Sequence, residues 1–218
     1  MEKIKAIIFD MDGVLIASPK YAVKAFNILL GDEGLHLEKE NVPKYLGRSL
    51  KDQLRLFKED YGIKDHDLAE FSKEFGALQL KLMTEASVSN GGLKEFLREL
   101  KKQGFKIAIA TSSADWRAER TLDILGVKEE FEVIVTSKDV KSHKPNPEVF
   151  LKAAEKLNVE PENCVVVEDA VNGIEAAKNA KMKAVALLTE YQTREDFKDA
   201  DLIIESLYEL NPQVIGEL

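Results

Sequence analysis

Ile4-Lys5-Ala6-Ile7-Ile8-Phe9 runs straight into Asp10-Met11-Asp12-Gly13-Val14-Leu15. The first six residues read as a buried strand, and two carboxylates stand at its end, two residues apart and followed by glycine. An ionised carboxylate at the rim of an apolar core is costly unless a cation or strong donors meet it. Two readings stand on this stretch alone. Either the Asp-x-Asp-Gly closes a strand-to-turn corner with its carboxylates as caps, or the pair serves metal-assisted chemistry.

Outward from this strand, runs rich in Val and Ile recur near 4–9, 105–110, 132–136, 164–167, 183–188 and 201–204. Helical patterns fall between and after them, near 92–103, 114–125, 147–157, 172–180 and 206–210. That alternation predicts an α/β fold with a Rossmann-like open parallel sheet. Gly104, Gly126 and Asn158 stand where three of the helices should stop. Residues 18–86 break the rhythm: they hold no convincing strand, yet 21–30, 50–61 and 68–83 carry apolar residues at three-to-four spacing. A helical block of that length is too long for a simple crossover. The expected division is therefore an α/β core of residues 1–17 and 87–218 with an inserted helical cap domain at 18–86. Its junctions, Ala17-Ser18-Pro19 and Ser87 to Gly92, would form the hinge of a lid.

Composition narrows the function. Hydrophobic residues at 44% and charged ones at 32% of 218 residues describe an ordinary soluble globular chain. A net charge of −8 argues against nucleic acid or an anionic membrane as the main partner. The single cysteine, Cys164, excludes an internal disulfide and fits a reducing, cytoplasmic setting, and its apolar neighbours make it a small buried hydrophobe. No signal peptide or spanning apolar segment is visible. A monomer is the simplest expectation.

Three of the strands end in polar residues at their carboxyl ends. Asp10 and Asp12 follow the first, Thr111, Ser112 and Ser113 the second, and Glu168 and Asp169 the fourth. Ligands of open α/β sheets bind outside these ends. Four converging carboxylates with no cysteine or histidine among them suit a hard cation such as Mg²⁺, and so many cannot all ionise without one. Lys144, stiffened by Pro145 and Pro147, would balance the carboxylates and hold a phosphoryl oxygen. An Asp nucleophile, a second carboxylate for proton transfer, and lysine and hydroxyl donors are what phosphoryl transfer asks for.

These residues resemble the haloacid dehalogenase-like superfamily. Its four motifs stand in order as Asp10-Met11-Asp12-Gly13-Val14-Leu15, Thr111-Ser112, Lys144-Pro145 and Glu168-Asp169. The last is followed by Asn172-Gly173-Ile174-Glu175-Ala176-Ala177. The resemblance implies Asp10 as nucleophile and metal ligand, and Asp12 as general acid/base and metal ligand through its backbone carbonyl. It implies Thr111 and Lys144 as phosphoryl binders, with Ser112 beside them, and Asp169 aided by Glu168 as the rest of the Mg²⁺ site. The helical insert resembles the cap of the β-phosphoglucomutase and small-sugar phosphatase branch.

The departures carry information too. Ala22 stands where the mutases carry a cap histidine, which favours hydrolysis over mutase chemistry. Asp12 argues against carbon–halogen cleavage, because the dehalogenases lack that second aspartate. Lys181 stands where a glycine usually ends the helix after the fourth motif, at a left-handed position costing about 1 kcal/mol. His143 replaces the glycine that usually precedes the lysine; a surface loop position is its expected place. Within the insert, Arg48 in Tyr45-Leu46-Gly47-Arg48-Ser49 is a candidate substrate contact, while Ser49 and Asp52 offer a helix cap. Lys73 and Lys81 fit a solvated helix face, His36 and His66 polar loops, and Trp116 packing near the cap.

The expectation is thus a Mg²⁺-dependent phosphatase acting through an aspartyl-phosphate on a small phosphorylated metabolite, a sugar or polyol phosphate. A phosphomutase of the same fold is the alternative. A phosphometabolite sensor without turnover is more remote, since a sensor has no need of both Asp10 and Asp12.

Overall fold

The computed structural model describes residues 3–31, 34–62, 68–85 and 92–218. Six strands form one parallel sheet: β1 (Ala6–Phe9), β2 (Lys106–Ala110), β3 (Val133–Val135), β4 (Cys164–Glu168), β5 (Lys183–Leu187) and β6 (Leu202–Ile204). Each lies within two residues of the range read from the sequence. Around them run α1 (Ser18–Leu30), α2 (Leu50–Tyr61), α3 (Leu68–Glu85), α4 (Leu93–Lys102), α5 (Asp115–Leu125), α6 (Glu148–Leu157), α7 (Val171–Asn179) and α8 (Pro212–Gly216).

The strand order β3-β2-β1-β4-β5-β6 decides where chemistry can occur. From β1 the chain builds β2 and β3 on one side, then returns to place β4 on the other. The strand order therefore reverses at β1, and the carboxyl end of the sheet opens a crevice there. Register sharpens this. Phe9 pairs with Ile109 on one side and Val167 on the other, so Asp10 and Glu168 stand one step past the same row, and Thr111 and Asp169 one step further.

The sheet is buried on both faces, as parallel sheets are. Ile7 and Phe9 of β1 join an apolar cluster with Leu97 and Leu100 of α4 and Leu122 of α5. Ala6 and Ile8 point the other way, toward Phe150 and Leu157 of α6 and Ile174 of α7. Cys164 is buried in that second layer, and burial pushes its thiol up to about 12, as for an inert apolar filler.

α1, α2 and α3 fill the stretch between β1 and α4 with a separate apolar cluster. Its centre is aromatic: Phe57 meets Phe26 and Tyr45 at ring-centroid distances of 4.4 and 4.3 Å. Ser49 caps α2, its hydroxyl accepting from the Asp52 N–H and donating to the Asp52 carboxylate at 2.6 Å. Of the junction expected at Ser87 to Gly92, all but Gly92 lies outside the described residues, as does His66. Among the described residues no helix is long and apolar enough to cross a membrane.

One element differs from the sequence reading. The helix expected over 206–210 is a single 3-10 turn, Leu207–Glu209, and α8 begins only at Pro212. The cause is Asn211-Pro212. A residue before proline avoids the helical region, and the Asn211 side chain accepts from the N–H groups of Gln213 and Val214, starting a new helix.

Gly126 and Asn158 end α5 and α6 in the left-handed conformation. Lys181 adopts the same region with φ of 60°. We predict that Lys181→Gly stabilises the fold by up to about 1 kcal/mol, raising the thermal midpoint by about 2–4 °C. A midpoint that falls would show that the lysine side chain outweighs its backbone strain.

Candidate active site

The corner that follows β1 explains why the second carboxylate is followed by glycine. Gly13 adopts a φ of 85°, and a Cβ there would lie 1.8 Å from Asp169 Oδ2. The turn after β1 can approach the end of β4 only without a side chain at this point. Gly13 N–H donates to the Ile16 carbonyl at 2.7 Å, closing the turn.

At the floor, the Lys144 ammonium is wholly buried and donates to Asp10 Oδ1 and Glu168 Oε1, each at 2.6 Å. Its position over the Phe150 ring, 4.9 Å from the centroid, completes the enclosure. The Lys144–Pro145 peptide is cis. Glu168 gives its other oxygen to the Ala170 N–H at 2.7 Å. Burial is the largest influence on Asp10 and pushes its carboxyl upward; Lys144 opposes this, while Glu168 and Asp12 add to it. Asp169 is driven upward by burial and then by Glu168 and Asp10. Its Oδ2 is buried and, among the described residues, has no hydrogen-bond partner.

Asp12 faces a different cation, one the motifs do not contain. Arg117 grips it in a two-pronged pair, Nη1 to Oδ2 at 2.7 Å and Nη2 to Oδ1 at 2.8 Å. Ser113 Oγ donates to Oδ2 at 2.6 Å. Burial would raise the Asp12 carboxyl, but Arg117, Ser113 and Ser18 outweigh it and hold it at about 2. From the helical block, Gln79 Oε1 accepts from Arg117 at 3.2 Å, and Gln79 Nε2 donates to the Ser18 carbonyl at 3.1 Å.

Arg117 and Gln79 escaped the sequence reading, though each left a trace. An arginine in the first turn of α5 opposes the helix dipole unless a carboxylate meets it. A glutamine in step with Phe71 and Phe75 interrupts an apolar stripe on α3.

Of the four residues expected to hold the metal, Asp12 and Glu168 have both carboxylate oxygens engaged by donors of this chain. Among the described residues no three His, Cys, Asp or Glu side chains form a ready cage. Asp12 has turned to Arg117, and Glu168 to Lys144 and Ala170, because a buried carboxylate takes the nearest cation or donor. Asp10 and Asp169 remain, and both line a cavity of about 620 Å³ between sheet and helical block. Among the described residues, the ion pairs of these four carboxylates are with two cations, Lys144 and Arg117. The local deficit of two charges matches a divalent ion. Mg²⁺ commonly uses one or two carboxylates, keeping water and substrate phosphate for the remainder. The residues present therefore fit it.

The other candidates lie around this floor. Thr111 is buried, and its hydroxyl accepts from the Ser113 N–H at 3.1 Å. Ser112, expected near phosphate, lines the cavity and donates to the Gly47 carbonyl of the helical block at 3.1 Å. Lys144 lies beneath Asp10 and reaches the cavity only through it. Arg48 is on the cavity wall, its Nε donating to the Lys44 carbonyl at 2.8 Å. Its capping neighbour Ser49 and its cavity position coexist. Ala22, Lys73, His143 and Trp116 line the same space; for His143 this replaces a surface loop, for Lys73 a purely solvated face.

Comparison with known proteins agrees with this geometry. The family described as "Haloacid dehalogenase-like hydrolase" matches residues 7–187, and the chain belongs to it. A phosphorylated carbohydrates phosphatase of Thermotoga maritima is 33% identical over 182 residues, covering 84% of each chain. Hexitol phosphatase B of Escherichia coli is 30% identical over 210 residues, covering 95% of each. Among solved structures, β-phosphoglucomutase from Clostridium difficile superposes with a TM-score of 0.82 at 28% identity, covering 98% of this chain and 96% of that one.

The Asp12–Arg117 pair makes a stability prediction. Arg117→Met leaves a largely buried carboxylate without its cation and costs about 2–3 kcal/mol. Combining it with Asp12→Asn in a double-mutant cycle, read by urea unfolding, should return a coupling of about 2 kcal/mol. A coupling near zero would mean that the pair adds nothing to the fold.

Proposed function

We propose that this chain is a Mg²⁺-dependent phosphatase that hydrolyses a small phosphomonoester, a sugar or polyol phosphate, through an aspartyl-phosphate on Asp10. The observation that carries the reading is the Asp10 carboxylate at the cavity floor, pinned through one oxygen by buried Lys144, beside an Asp169 oxygen without a partner. The relatives that act on phosphorylated carbohydrates and hexitols support the substrate class.

Asp10, Asp169 and the Asp12 carbonyl would hold Mg²⁺, which supplies charge neutralisation on the phosphoryl oxygens when bound. Lys144 fixes Asp10 Oδ1, so Oδ2 is the oxygen free of that pairing and attacks phosphorus. The bond from phosphorus to the leaving oxygen breaks, and that oxygen takes a proton from the Asp12 carboxyl. Asp12, now a carboxylate, accepts a proton from the water that attacks the aspartyl-phosphate, and inorganic phosphate departs with Asp10 restored. Asp12 takes the first proton from solvent on leaving Arg117, and the proton it holds after the water step returns to solvent when Arg117 receives it back as a carboxylate. Thr111 and Ser112 would steady the phosphoryl group. Residues 18–86, with Ser18 at the first junction, would act as the cap that excludes water.

The mutase alternative has one feature in its favour, the superposition on a β-phosphoglucomutase. Against it, Ala22 lines the cavity yet bears no group able to move a proton. Incubation with β-glucose 1-phosphate should release free phosphate and not accumulate glucose 6-phosphate.

Phosphate release from a panel of sugar and polyol phosphates should fall at least about 10³-fold in Asp10→Asn and vanish with EDTA. Full metal-dependent turnover by Asp10→Asn would sink the nucleophile assignment. Arg48→Ala should alter the ranking of substrates by about tenfold in kcat/KM; an unchanged ranking removes Arg48 from recognition.

A further inference from the structure

The chain has a single tryptophan, and it is not packed away. Trp116 exposes 53% of its surface, whereas Phe9, Phe26, Phe57, Phe75, Phe150 and Phe197 are fully buried. A large apolar side chain left open calls for a reason when it stands in a ligand cavity. Trp116 lines the same cavity as Asp10, Asp12 and Asp169. It sits on the first turn of α5, three residues after Ser113, so the sheet end that carries the reacting groups also fixes the indole.

Across from it, α3 comes close to the ring at Gly76. Gly76 lies in the interior of α3, where glycine costs about 1 kcal/mol against alanine. It is not among the positions that need a positive φ. A Cβ there would touch the far edge of the indole, 3.6 Å from Cη2 and 3.8 Å from Cζ2. The edge of the ring thus lies near Gly76 of α3, and about half of Trp116 stays exposed, 53% of its surface. Lys73, one turn earlier on α3, and Arg48 line the cavity and offer donors to hydroxyl groups.

We infer that Trp116 is a specificity-determining residue that receives the carbon skeleton of the substrate, and that this skeleton is a closed sugar ring and not an open-chain polyol. A ring presents a rigid, flat patch of C–H groups that a fixed indole covers by dispersion and loss of water. An open chain would have to freeze several torsions to offer the same patch, which weakens binding. The inference rests on the phosphatase reading for the reacting end and adds the identity of the other end.

Glucose 6-phosphate and sorbitol 6-phosphate share six carbons and the phosphate position and differ in the ring, so they form the test pair. Trp116→Ala should lower kcat/KM for the ring ester by about tenfold and for the open ester by less than about twofold. Trp116→Phe, which keeps an aromatic face, should recover most of the loss. Equal losses on both esters, or no loss, overturn the inference. In the Asp10→Asn protein, fluorescence excited at the red edge, where the five tyrosines do not absorb, reports on Trp116 alone. It should change with glucose 6-phosphate and stay constant with sorbitol 6-phosphate or inorganic phosphate. An indole signal that ignores the ring ester overturns the inference whatever the kinetics show. Wild-type protein that releases phosphate from no ester would defeat the phosphatase reading, and the fluorescence arm would still decide the role of Trp116.

Discussion

The buried ammonium of Lys144 holds together what the sheet brings close. Asp10 arrives at the end of β1 and Glu168 at the end of β4, one step past the same hydrogen-bonded row. Two carboxylates at such a place would repel each other and resist burial. Lys144, entering from the loop before α6, bonds to both at 2.6 Å and turns a repulsion into a clasp. The clasp also leaves one oxygen of Asp10 outside the pairing, so the neutralising charge and the orientation of that carboxylate come from one side chain.

A second cation does the same for Asp12, with a different effect. Arg117 uses both prongs on Asp12, and Gln79 ties that arginine to the helical block and to the carbonyl of Ser18. The state of Asp12 is therefore mechanically joined to α3 and to the start of α1. Ser112 adds another link through the Gly47 carbonyl. The polar floor and its helical cover meet through specific hydrogen bonds as well as through apolar contact.

Most of the architecture was legible because parallel α/β folds write themselves locally. Val165, Val166 and Val167 form an unbroken apolar run because β4 is covered on both faces, and fully burying each contributes about 1.5–3 kcal/mol. Gly126 and Asn158 announced helix ends because few residues tolerate the left-handed conformation. The reading slipped at 206–210, where the pull of Asn211-Pro212 on the backbone outweighed a helical apolar pattern. Most core motif residues were legible as well, since Asp10, Asp12, Thr111, Glu168 and Asp169 stand at or just past the ends of strands that the sequence marks plainly, while Lys144 was marked by the two prolines of its loop.

Taken alone, then, the sequence determined the sheet, the helical insert and the identity of the groups delivered to one edge: Asp10, Asp12, Thr111, Lys144, Glu168 and Asp169. Tertiary structure decided how those groups are paired. Nothing in the spacing of Asp12 foretold Arg117, 105 residues away, or that one Lys144 ammonium would bridge Asp10 and Glu168. The same holds for Trp116, whose neighbours on its own helix are silent about its place on the cavity wall and about Gly76 of α3 across from it. The physical reason is range. Strand and helix formation answer to neighbours a few residues off, whereas the partner of a buried charge and the exposure of a ring depend on side chains that only the finished fold brings within a few ångströms.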